Sequence, residues 1–218
     1  MAVYGGPKIP TDGLILYLDA ANIKSYPGSG NTWFNIGGTG LNGSKAGSQS
    51  PTYPQWNPLG YFTFIGGTTG NNYSRFDVSN IPLLSGITID IFSYSENGGA
   101  LIRASNSDYE ISAGSYAAGT NYNDINVTKV DVRNNWIHDS LTFDGSGLVG
   151  YRNGRQAATK VRASGTTMAA STARIGTRDD AYLDHLVGNI ACLKIYNRAL
   201  SSGEVLQNYN ALKGRFGL

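Results

Sequence analysis

Apolar residues recur at every second position in a series of short segments, and this period of two constrains the chain more than any other feature. In residues 87–92 (ITIDIF), Ile87, Ile89 and Ile91 share one side of an extended chain, while Thr88 and Asp90 take the other. That pattern predicts a half-buried antiparallel strand. The same reading fits residues 14–19, 61–65, 101–105, 125–132, 136–143, 148–152, 172–176 and 187–196. Clusters of Gly, Asn, Ser and Pro separate these segments, at residues 27–31, 66–72, 97–99 and 144–147. Such residues supply positive φ or preset turns. Asn153-Gly154, between residues 148–152 and 155–158, predicts a hairpin closed by a two-residue type I′ turn.

Composition narrows the choice. The 218 residues suit one domain, and 29 glycines without a three-residue period exclude collagen while agreeing with many tight turns. A 40% apolar share with 15% charged residues excludes a disordered chain. Seventeen basic against fifteen acidic residues leave no electrostatic footprint for nucleic acid or an anionic membrane. The single Cys192 cannot form an internal disulfide or a cysteine-based zinc site. No apolar run reaches the length of a membrane span, and the N-terminus lacks the pattern of a secretory signal, so synthesis in a cytoplasm is expected.

One helix is legible, at the C-terminus. Ser201 and Glu204 form an S-x-x-E capping box, Leu200 and Val205 are placed as a hydrophobic staple, and Val205, Leu206, Tyr209 and Leu212 recur at helical spacing. Gly214 is expected to provide a left-handed stop. Residues 1–11, with two prolines and Gly5-Gly6, predict an extended arm, followed by a single domain over residues 12–218. The fold class expected is all-β, a two-sheet antiparallel sandwich with a short C-terminal helix.

Residues 136–156 (WIHDSLTFDGSGLVGYRNGRQ) resemble the tryptophan-led strand, Asp-Gly turn and aromatic-x-Asn-Gly hairpin of laminin G-like domains in the concanavalin A-like jelly-roll class. Residues 175–178 (IGTR) and 188–209 (GNIACLKIYNRALSSGEVLQNY) are similar to that family's closing strand, corner and terminal helix. Residues 12–36 resemble a stretch that introduces such domains in structural proteins of tailed bacteriophages. The resemblance implies a jelly roll and a non-enzymatic virion protein that decorates or braces the capsid or tail through contacts with other virion proteins, such as the major capsid protein or tail components. The arm residues Tyr4, Pro7, Ile9 and Pro10 are the expected attachment element. Asp139 departs from the family pattern, since it falls on the apolar side of its strand with Ile137, Leu141 and Phe143, where a buried carboxylate needs a partner.

A lectin-like adhesin for host surface polysaccharide is the alternative. Sugar binding needs an aromatic platform beside amide or carboxylate groups. Tyr73 with Asn72, Tyr116, and Tyr122 with Asn123 offer that chemistry on predicted loops. Calcium is the metal that oxygen-rich loops suit, through Asp179, Asp180 and Asp184, although no EF-hand spacing occurs and no cofactor is otherwise implied. Glucanases of this class need paired carboxylates on one strand. Here residues 88–96 carry Asp90, with Thr88 in place of a glutamate and Glu96 beyond the strand, so the acid–nucleophile pair is missing. His138 reads as an outward-facing strand residue, His185 as a loop residue near Tyr182, and Cys192 as an inert strand thiol.

Overall fold

A computed structural model describes residues 7–46, 53–66, 74–106, 108–112, 115–118, 125–126, 133–161, 167–178 and 185–218, with backbone alone for 115–118 and 125–126. In chain order the strands are β1 (Leu14–Asp19), β2 (Thr32–Trp33), β3 (Gly43–Ala46), β4 (Gln55–Asn57), β5 (Tyr61–Phe64), β6 (Arg75–Ile81), β7 (Ile87–Ser95) and β8 (Ala100–Ala104). They continue as β9 (Tyr109–Ser112), β10 (Ser115–Ala118), β11 (Ile125–Asn126), β12 (Trp136–Phe143), β13 (Gly147–Arg152), β14 (Arg155–Val161), β15 (Ser171–Ile175) and β16 (Gly188–Tyr196). Helix α1 (Ser202–Leu212) and a 3-10 turn at Lys213–Arg215 close the chain.

Two antiparallel sheets pack face to face, as expected for a jelly roll. The first runs β14-β13-β12-β7-β16-β5-β4, with β1 on β16 beyond the stretch that β5 occupies. The second runs β11-β10-β9-β8-β15-β6-β3-β2. Between them lie Leu16, Leu18, Phe62, Ile89, Ile91, Leu141, Leu193 and Ile195 from the first sheet, and Trp33, Phe76, Val78, Ile102, Ile111 and Ile175 from the second. Each such side chain contributes about 1.5–3 kcal/mol on burial. Trp33, Phe62 and Phe76 meet at ring separations of 4.8–5.2 Å and knit the two sheets together.

The Asn153-Gly154 turn takes positive φ at both residues, as a type I′ hairpin requires. The capping box forms between Ser201 and Glu204, and Leu200 packs with Val205. The helix end differs from expectation. Gly214 lies inside the 3-10 turn, and the left-handed residue is Gly217. The inward stripe differs too: Leu206 is exposed, while the buried polar position is Asn208, whose amide is bonded to the Tyr196 hydroxyl. Asp139 has the partner its burial demands, the Arg152 guanidinium at 3.2 Å. Among the described residues no helix is long and apolar enough to cross a membrane.

Candidate functional site

The centre of the outer face of the first sheet is covered. Instead of a half-buried strand, β7 has both sides covered, the Ile side by the second sheet and the Asp90 side by α1 and the chain end. Asp90 is completely buried, accepting from Lys194 Nζ at 2.7 Å and lying 2.7 Å from His138 Nε2. His138, expected to face outward, is therefore an interior residue, because the covering segment turns the outer face of β12 into a second interior. Burial acts to raise the Asp90 pKa, but the His138 ring and Lys194 ammonium outweigh it and hold the carboxyl well below the usual range. Burial pulls the Lys194 ammonium down, and Asp90 and neighbouring groups more than reverse that. Phe92 packs on the His138 ring at 4.7 Å, and Phe216 stacks on Phe92 at 4.8 Å. Arg215 bonds both oxygens of Asp19, at 3.0 and 2.9 Å, and pins the chain end. Cys192 lies in the same layer, where burial pushes its thiol up to about 11, as expected of an inert strand cysteine.

The arm's described part is docked. Pro10 is buried with its carbonyl accepting from the Tyr196 hydroxyl at 3.1 Å, Ile9 is partly buried, Pro7 is exposed, and Gln207 donates to the Lys8 carbonyl. Tyr4 lies outside the described residues.

At one end of the sandwich several connections converge. The ends of β5, β7, β9 and β15 and the starts of β6, β8, β10, β12 and β16 all lie there. His185 is central to it, a buried residue rather than an ordinary loop position. Its Nδ1 is 2.7 Å from Thr177 Oγ1, and its carbonyl accepts from Asn97 Nδ2 at 2.7 Å. Asn97 Oδ1 in turn accepts from Gly99 and Val187. Gly99 permits this approach, since a Cβ there would sit 2.3 Å from the His185 carbonyl oxygen. Asn72, Tyr73, Asp179, Asp180 and Asp184 lie outside the described residues, but the flanking Gly66, Ser74, Arg178 and His185 all belong to this end. Tyr122 and Asn123 also lie outside them, and their flanks, Ala118 and Ile125, leave from the other side of β10. Tyr116 stands on β10 opposite Ile111 and Ile125. Among the described residues no cluster of His, Cys, Asp or Glu could hold a metal ion.

The outer face of the second sheet carries a feature that the sequence reading missed. Cross-strand register aligns Ser44, Asp77, Arg174, Arg103 and Glu110 in one row over β3, β6, β15, β8 and β9. Arg75 pairs with Asp77 at 2.9 Å, while Arg103 and Arg178 approach Glu110 at 3.7 and 3.6 Å. Ser112 donates to Glu110 at 2.6 Å. Within the row Arg103 and Glu110 are buried, while Asp77 and Arg174 are half-buried. A signal was available, because each charged member sits in an apolar–charged–apolar triplet: Phe76-Asp77-Val78, Ile102-Arg103-Ala104, Tyr109-Glu110-Ile111 and Ala173-Arg174-Ile175.

An antiparallel two-sheet sandwich with its connections gathered at one end is the architecture of a jelly roll. Residues 77–206 match the sequence profile of the concanavalin A-like lectin/glucanases superfamily, and the chain belongs to that family. No curated protein shows significant sequence similarity to it. Among solved structures it is similar to Trypanosoma rangeli sialidase in complex with sialic acid, with a TM-score of 0.66 and 15% identity over 95% of this chain and 34% of that one. It is similar also to the binding domain of botulinum neurotoxin DC in complex with SialylT, with a TM-score of 0.64 and 18% identity over 93% of this chain and 52% of that one. The same neurotoxin domain in complex with rat synaptotagmin II matches at 0.64 and 17%. The chain thus spans about a third to a half of these proteins, and the likeness is one of fold.

Proposed function

We propose that the chain is a non-enzymatic, lectin-like recognition module carried on a tailed-phage virion, where it binds surface saccharide. The observation that carries this reading is the division of the two sheets. The first has its outer carboxylate, Asp90, sealed beneath α1, and the second keeps Asp77 and Arg174 half-buried on its outer side, near the end where the connections converge. A polysaccharide chain has no route to Asp90, which argues against glucanase chemistry. Array binding of the purified chain to bacterial surface glycans tests the proposal, with retention on at least one saccharide expected and absence of binding to any of them overturning it. Sugar release that disappears in Asp90→Asn would establish the glucanase instead.

The second reading is a protein that decorates or braces capsid or tail through protein–protein contacts alone. The docking of Lys8 and Pro10 on the C-terminal helix region favours it, because the preceding residues, Tyr4 among them, then start from a fixed point on the domain. Deleting residues 1–7 is expected to abolish particle occupancy and leave the unfolding midpoint unchanged. Full occupancy by the truncated chain would exclude the arm as the attachment element.

A further inference from the structure

We infer that the edge strand β14 is a docking site for an acidic, extended segment of a partner protein, which adds to the first sheet as a further strand. The inference is independent of the saccharide reading and concerns a different part of the molecule. Three of the strands that end the two sheets are short as described: β4 has three residues, β2 two and β11 two. The outer side of β1 is covered by residues 35–36, which bond Tyr17. β14 has seven residues, Arg155–Val161, and pairs on one side only, with β13. Among the described residues no other hydrogen bond reaches it. A strand bonded on one side turns every second backbone N–H and C=O outward, and that row is a template for another strand. Five of the seven residues are exposed, Val161 at 85%, and no proline interrupts them. One extra residue in the pairing with β13, Ala157, precedes a regular run over residues 158–161.

Charge chooses the partner. Arg155 and Lys160 are the charged residues of β14, and among the described residues neither takes part in an ion pair. Over residues 145–163 the sequence has four basic residues and no acidic one, and of the four Arg152 is committed to Asp139. A second copy pairing with β14 about a two-fold axis would bring four cations into one ladder with no acid to offset them, an arrangement that like-charge repulsion between strands opposes. A neutral strand would gain backbone bonds alone. Carboxylates on the added strand neutralise Arg155 and Lys160 while the backbone bonds form, so the residues that deter self-pairing select an acidic partner. Ala157, Ala158 and Thr159 are small and leave the backbone between the two cations open to approach.

Fluorescence anisotropy of the full chain with two labelled ten-residue peptides, one alternating threonine and glutamate and one alternating threonine and lysine, tests the assignment. The glutamate peptide is expected to bind at least tenfold more tightly than the lysine peptide, with affinity falling as salt rises. A proline at the centre of the glutamate peptide is expected to weaken binding at least tenfold, because it removes a ladder bond. Amide hydrogen exchange is expected to slow on binding at alternate positions of residues 158–161, which attraction between surface charges would not produce. The double variant Arg155→Glu, Lys160→Glu is expected to abolish binding, and Arg155→Gln alone, at an exposed position, to weaken it severalfold, with both melting close to the parent. Equal affinity for the two peptides, unchanged exchange in β14, or unchanged binding by the double variant would overturn the inference. So would exchange in β14 that slows with protein concentration alone, which would mark a second copy as the occupant. Saccharide binding is left untouched by each of these outcomes.

Discussion

Lys194, Asp90 and His138 form a buried unit in which removing one partner strands the others. Breaking a buried ion pair by deleting one member costs about 3–5 kcal/mol, because the remaining charge loses both water and partner. Lys194→Met is accordingly expected to lower stability by that amount in chemical denaturation. The double variant Asp90→Asn, Lys194→Met should recover a large part of it, since no charge is then left alone. The same unit sets an acid dependence. Asp90 is held below its unfolded value of about 3.9, so its stabilising contribution is complete above that pH and is lost as the pH falls toward the native-state value. Parent and double variant should diverge above pH 4 and converge below it. Thr88 and Asp90 were legible as the non-Ile side of their strand. That this side is also interior was not, because period-two alternation reports that two faces differ and not what covers each.

At the level of elements, the C-terminal helix shows how completely a local motif can be read. The capping box, its staple and the Asn-Gly hairpin turn involve contacts a few residues apart, and all three formed as the sequence implied. The Glu204 carboxyl is held down to about 2, first by the Arg198 hydrogen bond and then by the Ser201 backbone and hydroxyl. Its contribution is therefore present above the unfolded value of about 4.3 and lost as the pH falls toward 2. Glu204→Gln should flatten that part of the stability–pH curve, measured as the unfolding midpoint between pH 5 and pH 2. Strands β6 and β9 escaped the reading for a different reason. In β6 Phe76 and Val78 alternate but the third core residue, Ile81, falls out of step after an irregularity in pairing, and β9 offers only Tyr109 and Ile111, so alternation does not stand out in either.

For the molecule as a whole, the chain end from Lys213 to Leu218 acts as a strap across the first sheet. Arg215 ties it to Asp19, and Phe216 lies against Phe92 and Trp136. Removing residues 213–218 should uncover the layer that holds Cys192. The parent thiol is expected to resist a disulfide reagent at pH 8 until the protein is unfolded, while the truncated chain should react under native conditions and bind more of a hydrophobic dye. Equal labelling rates in the two proteins would show that the strap does not shield this layer.

The sequence by itself determined the two-sided strands, the positions of the tight turns, the capped helix and the class of sandwich, because each depends on residues close together in the chain. Tertiary structure alone decided which sheet face is sealed and which carries charge. Asp90 meets Lys194 across 104 positions, and Asp77, Arg103, Glu110 and Arg174 become one row through cross-strand register. Long-range pairing and layering, which local periodicity does not encode, turned four scattered charged triplets into one cross-strand row and an apparently exposed aspartate into an interior one.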